Sequence, residues 1–462
     1  MTQLAQRLET RHVNMIALGG SIGTGIFLAS GYSISIAGPG GSLLAYAIMA
    51  VIVYFLMMSL GEMTTYQPHT GTFCKYSADY VSPSFGFAMS YNYWFNWAIT
   101  LATEISAAVI IMQFWFPDAS VLLISALFFF GVLIANLFSV NVYGEVEYWL
   151  SSVKVATVMI FIVVGLVMLG HKPELINHNW TIGDAPFHAG FLGFMTVFLF
   201  AGFSFQGTEL VGVASGETKN PEVTIPQSIK RVFWRLCLFY ILATFIIGSL
   251  IAYTDPSLTN QSDVMVSPFT KIFSEAGLPY AGSIINFVIL VAVLSAANSN
   301  MYSATRILWY MAKQGETPKI FAKVDKRGVP LLALLATALV GSLVFVSSLV
   351  GNGVFFNYIV QISSLSGFIA WFGIALSHYQ FRKIYLKTHG NLDGLKFRAK
   401  FYPWAPIISM IILLLVIVGQ IQSLLVSHAV NLSGLLVTYS SVILFLVLLI
   451  GHYLYSKTRQ KS

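Results

Sequence analysis

Apolar runs of membrane-spanning length recur along this chain with short polar stretches between them, and the pattern predicts an all-α fold. The first six are Val13–Ala37, Leu43–Ser59, Phe85–Phe114, Val121–Phe138, Tyr148–Leu169 and Phe191–Gly216. Val232–Ala252, Gly282–Tyr310, Leu331–Val350, Val354–Ser377, Ala405–Leu424 and Leu432–Ile450 follow. Each can cross a hydrocarbon core of roughly 30 Å. The polar connections are loops, too short for a soluble domain; the longest are Thr254–Tyr280, which reads as turns with one short amphipathic helix, and Tyr379–Tyr402.

Two runs are interrupted where a spanning helix has no reason to be. Leu18–Phe27 holds Gly19, Gly20, Gly23 and Gly25 with the hydroxyls of Ser21 and Thr24, and Gly202–Glu209 holds Ser204, Gln206, Gly207 and Thr208. An unpaired amide in hydrocarbon costs several kcal/mol, so broken backbone at that depth survives only where it lines a cavity or meets a ligand. Runs one and six are five apart, and an odd count inverts the second copy. Paired breaks at corresponding positions of inverted repeats point to a transporter's substrate site. A small-residue helix-packing face is the other reading of Gly19 to Gly25.

Composition fits only a membrane protein: 56% of the 462 residues are hydrophobic and 9% charged. The net charge of +7 is a topology signal, not a nucleic-acid footprint. With the N-terminus inside, 22 of the 25 Lys and Arg fall on the cytoplasmic side, Lys172 and Lys271 outside and Lys154 within a span. That asymmetry predicts twelve transmembrane helices with both termini cytoplasmic, and at most a secondary attraction to anionic membrane lipids. The predicted division is a cytoplasmic N-terminus at 1–12, five-helix repeats at 13–171 and 190–378, helices eleven and twelve at 404–456 and a tail at 457–462. The first helix, following Arg7 and Arg11 directly, is expected to direct insertion without a separate signal peptide. Cys74 and Cys237 make no disulfide framework.

The break Gly19 to Phe27, Gly61-Glu62 with Thr70-Gly71-Thr72-Phe73, the break Gly202 to Glu209 continuing to Gly216-Glu217, and Asn220-Pro221 with Ile225-Pro226 resemble the amino acid permeases of the amino acid-polyamine-organocation superfamily. The resemblance covers essentially the whole chain. Asn92 to Trp97, Gly202 to Leu210 and Leu294-Ser295-Ala296 with Asn298-Ser299 are most similar to its lysine-specific branch. It implies a five-plus-five inverted repeat with helices 1 and 6 unwound around the substrate, two extra helices, and proton-coupled import of L-lysine by alternating access at a bacterial inner membrane. Arginine, ornithine, aromatic amino acids and 4-aminobutyrate are the alternative substrates.

The residues supply reasons for such a site. A half-helix starting at Thr24 to Phe27 offers free amides and a positive dipole end to an α-carboxylate, and Gly23 and Gly25 let the backbone approach it. Carbonyls near Gly20, Ser21, Phe203 and Ser204 would accept from the α-ammonium, with Gln206 beside them. Phe203 is either a gate over the substrate or a packing residue. Glu104, Lys154 and Glu209 lie at membrane depth, where each needs a partner or a task. Glu104 would receive a substrate's side-chain ammonium, or else hydrogen-bond a neighbouring helix or Ser106. Glu209 would titrate or bind an ammonium group. In the resemblance, Lys154 takes the place of a sodium ion near Ser295, Asn298 and Ser299; otherwise it snorkels to the interface. Glu62 and Glu217 would close an inner gate with Arg231, Arg235 or Arg306, or are solvated pairs.

Other classes lack their signatures. No His-Glu-x-x-His motif and no Gly-rich phosphate loop ending in Lys-Ser/Thr is present, the nine histidines are scattered singly, and no enzyme, cofactor or metal site is expected. A channel would show a pore loop or charged ring. An amino-acid sensor with little flux, signalling to a regulatory membrane protein, would use the same site.

Overall fold

The computed structural model describes residues 21–69, 71–137, 143–213, 221–258, 267–277, 280–426 and 432–459, and no strand occurs among them. Its helices are α1 (Ser30–Tyr66, entered through a π-turn at Gly25–Ala29), α2 (Thr72–Tyr80), α3 (Pro83–Met112), α4 (Val121–Ala135), α5 (Tyr143–His171), α6 (Glu174–Thr181), α7 (Gly190–Phe205) and α8 (Leu210–Val213). There follow α9 (Pro221–Leu250), α10 (Pro268–Glu275), α11 (Ala281–Gln314), α12 (Leu331–Gly341), α13 (Ser347–Val350), α14 (Asn352–His389), α15 (Trp404–Val426), α16 (Leu432–Thr438) and α17 (Ser440–Arg459). Among the described residues nine helices are long and apolar enough to cross a membrane, and Val121–Ala135 and Cys237–Leu250 are shorter apolar helices. The chain is a multi-pass membrane protein.

Several helices outrun their apolar segments. The run predicted at Val354–Ser377 belongs to a helix continuing to His389, because hydropathy reports where hydrocarbon ends while backbone hydrogen bonding continues beyond it. The ninth run is not uniform: α12 passes through a 3₁₀ stretch, Ser342–Val346, into α13. The loop expected at Thr254–Tyr280 holds the expected short helix, α10, anchored by Ser267 Oγ donating to the Phe27 carbonyl at 2.7 Å and by Phe269 stacked on Phe161 at 3.8 Å. Lys271 bonds Asp255 at 2.7 Å. Burial pushes the Asp255 carboxyl up, but hydrogen bonds from Lys271 and Ser257 hold it below its ordinary value.

No loop separates the first two apolar runs. The helical path of α1 bends at Gly38, whose φ of 72° and ψ of 174° are open to glycine, and Pro39 follows. The Pro186 carbonyl caps the bend, accepting from Gly40 N at 2.9 Å and Gly41 N at 3.1 Å. About 15 residues, or roughly 22 Å of helix, separate this bend from the first break, and α7 runs about 24 Å before the second, so both interruptions lie at similar depth. Beyond its own π-turn, α1 packs chiefly on α7 and α9, whereas α3 packs chiefly on α11 and α14.

Candidate functional site

The first break falls at Ile22 and Gly23, and Thr24 re-enters helical geometry with φ −53° and ψ −29°. Gly19 and Gly20 lie outside the described residues. The second falls after Phe205, where Gln206 is extended (φ −60°, ψ 147°) and Gly207 has φ 94°, before α8 resumes at Leu210. A Cβ on Gly25 would lie 2.5 Å from the Ser204 Cα, so glycine there lets the two interrupted helices touch backbone to backbone. This differs from the expected reason, room for a carboxylate.

Between the breaks is a small, partly open cavity. The first break contributes Ser21, Gly23 and Gly25, the second Phe203 and Gln206, α3 contributes Trp97, Thr100 and Glu104, and α11 contributes Asn300. Thr24 does not line it; its hydroxyl donates to the Glu104 carboxylate. Ser204 is likewise set back, its hydroxyl 2.9 Å from the Tyr46 hydroxyl. The Ser21 carbonyl, expected to await an ammonium, accepts from Tyr240 at 2.7 Å.

Glu104 stands at the first break itself, since a Cβ on Gly23 would lie 3.0 Å from its Oε1. Ser106 is not its partner and instead donates to Asn352 at 2.8 Å. Lys154 interacts electrostatically with Glu104 and is 0% exposed, which removes the snorkelling alternative. Ser295 and Ser299 are buried one turn apart on α11, but Asn298 turns toward α4 and accepts from Asn136 at 2.8 Å. Glu209 lies outside the cavity lining, accepting from Gly207 N at 3.1 Å and the Trp371 indole at 3.3 Å. The Gln206 side chain donates to the Ser363 carbonyl at 3.2 Å and accepts from Asn96 at 3.5 Å.

Glu62 is buried, and its partner among the described side chains is Arg382 rather than Arg306; the side chains of Arg231 and Arg235 lie outside the described residues. Arg382 grips both carboxylate oxygens, with Nε 2.6 Å from Oε1, and Ala399 N donates to Oε2. The tenth run was expected to end at Ser377, which left Arg382 in a loop. Glu217 lies outside the described residues. Trp97, Thr100 and Asn300 were also missed. The 97, 100, 104 spacing places the first two on the face of Glu104, a signal available without coordinates.

Comparison with known proteins gives a consistent picture. Residues 12–462 match the family described as "Amino acid permease". The chain is 46% identical to the lysine-specific permease LysP of Escherichia coli, over 98% of this chain and 94% of that protein. It is 44% identical to LysP of Lactococcus lactis, over 99% of this chain and 91% of that one. It is also 41% identical to the histidine permease HisP of Lactococcus lactis, over 97% of this chain and 95% of that one.

Proposed function

Because the chain belongs to the amino acid permease family, we propose that it imports L-lysine together with a proton across a bacterial inner membrane by alternating access. The carrying observation is the cavity walled by both helix breaks, with an acid and a buried amine beside it. Counting the two limbs of α1 separately and including the shorter apolar helices supports twelve crossings, five plus five inverted and two appended. The charge asymmetry supports cytoplasmic termini.

Glu104 beside Gly23 changes the part assigned to it. An α-carboxylate on the half-helix that starts at Thr24 would meet the Glu104 charge unless that charge is compensated. Protonated Lys154 supplies the compensation. A proton on Lys154 therefore favours substrate binding, and its loss leaves Glu104 uncompensated and favours release, which is the sign a symporter requires. Thr100, Gln206 and Asn300 offer neutral acceptors to the ammonium groups. Lysine and one proton carry two positive charges inward, about 4.6 kcal/mol per 100 mV of potential.

Uptake into proteoliposomes tests this reading. Lysine should accumulate under an acid-outside gradient, exceed histidine in competition, and be indifferent to replacing sodium by potassium. Sodium dependence, or preference for histidine, would overturn the coupling or the substrate respectively.

A further inference from the structure

The cluster around Glu62 lies far from the cavity. About 23 residues of α1, roughly 35 Å, separate it from the Gly38 bend, so it sits at the opposite face of the membrane. There Glu62 on α1 meets Arg382 on α14, and the segment after α14 closes over both. Ala399 donates its N–H to Glu62 and accepts from Arg382 Nη2 at 3.2 Å. The Tyr402 ring lies 5.1 Å from the Arg382 guanidinium, and a Cβ on Gly61 would come within 3.0 Å of the Phe397 ring. His378 Nε2 is 3.4 Å from Glu62 Oε1.

A bidentate guanidinium–carboxylate pair excluded from water is geometrically specific and has no water to replace a lost partner. This one joins two groups of helices: α1, with α7 and α9, on one side, and α14, with α3, on the other. The same α14 reaches the second break, since Ser363 and Trp371 hold Gln206 and Glu209. From Trp371 to Arg382 is about 16 Å along one continuous helix.

Resting on the transport reading, we propose that Glu62, Arg382 and the Ala399 backbone form a clasp that holds this end of the path shut. It opens when α14, shifted by events at the second break, withdraws Arg382. Glu62 and Arg382 are then positioning residues, touching no substrate.

The test uses the full chain in proteoliposomes, with Cys74→Ser and Cys237→Ser, and Ala399→Cys as a reporter of burial. A membrane-impermeant maleimide applied to the face bearing this loop should label the reporter slowly. Adding Glu62→Gln should speed labelling about tenfold or more without any substrate. Glu62→Gln and Arg382→Gln should each lose gradient-driven accumulation about tenfold while lysine counterflow falls no more than about threefold, and Arg382→Lys should be intermediate. A merely structural pair would depress counterflow and accumulation together. Unchanged labelling in Glu62→Gln, or parallel losses in counterflow and accumulation, would overturn the clasp. Should Glu62→Gln not fold, the same two measurements on Arg382→Lys decide the matter. Absence of lysine counterflow in the unsubstituted chain would overturn the transport reading instead, and the substrate-free labelling would still judge the clasp.

Discussion

The two helix breaks lie at similar depth and share a cavity, yet they satisfy their polar groups differently. The first leans on other helices: Thr24 bonds Glu104 on α3, and the Ser21 carbonyl is held by Tyr240 on α9. The second supplies much of its own cap, because Glu209 closes back on Gly207 N, with α14 fixing the remainder through Ser363 and Trp371. A break whose partner is a carboxylate answering to a buried amine can change with protonation. The second, closed by the Glu209 carboxylate on the Gly207 amide and held by α14, is expected on the transport reading to act as a hinge that moves with α14.

The largest effect should come from separating the breaks. Gly25→Val places side-chain atoms where Ser204 backbone already lies, and uptake should fall by at least about 100-fold in protein that still inserts. Retained uptake would mean that their contact is dispensable.

Next comes a paired substitution that asks whether the breaks really differ. Glu104→Gln should abolish the dependence of lysine affinity on pH and reduce accumulation about tenfold or more, while calorimetric affinity at acid pH shifts by no more than about 1.5 kcal/mol. Glu209→Gln keeps an oxygen to cap Gly207 and should leave the pH dependence in place, costing about 1 kcal/mol of stability. If Glu209→Gln uncouples and Glu104→Gln does not, the roles of the breaks are reversed.

The smallest effect serves as a control outside the cavity. With its carboxyl held below the ordinary value, Asp255 contributes stability that is present above an unfolded pKa of about 4 and is lost as pH falls through the lower folded value. The contribution should be under about 1 kcal/mol. A melting-temperature difference between native protein and Lys271→Gln should be visible near neutral pH and vanish in acid, with coupling unaffected.

Hydropathy and composition were enough to mark the long apolar helices, because a spanning segment must be apolar and must bond its backbone internally, but not the short helices Thr72–Tyr80 and Glu174–Thr181. The breaks were visible as glycines where none is needed. Pairings between helices were harder. Nothing in the local sequence distinguishes Arg382 from the neighbouring basic residues of the loop expected at Tyr379–Tyr402 until α14 is known to continue to His389. The carbonyl of Ser21 and the hydroxyl of Tyr240 are 219 residues apart, and only packing brings them together. Glu104 was recognised as a buried acid, but its distance from Gly23 decides which ligand group it can tolerate, and a distance of that kind is a tertiary property.

The capped bend at Gly38 bears on how the protein enters its membrane. The 42 residues from Gly25 to Tyr66 would measure about 63 Å if straight, twice the thickness of hydrocarbon, so they can be accommodated only folded back on themselves. Gly38, Pro39, Gly40 and Gly41 are all buried, and the Pro186 carbonyl that caps them arrives from a segment synthesised about 145 residues later. During synthesis the bend must therefore wait, with the amides of Gly40 and Gly41 lacking this acceptor, until the segment leading into α7 has been made. In the finished protein no peptide at this bend is left in water for a protease, an antibody or an inserted tag to find.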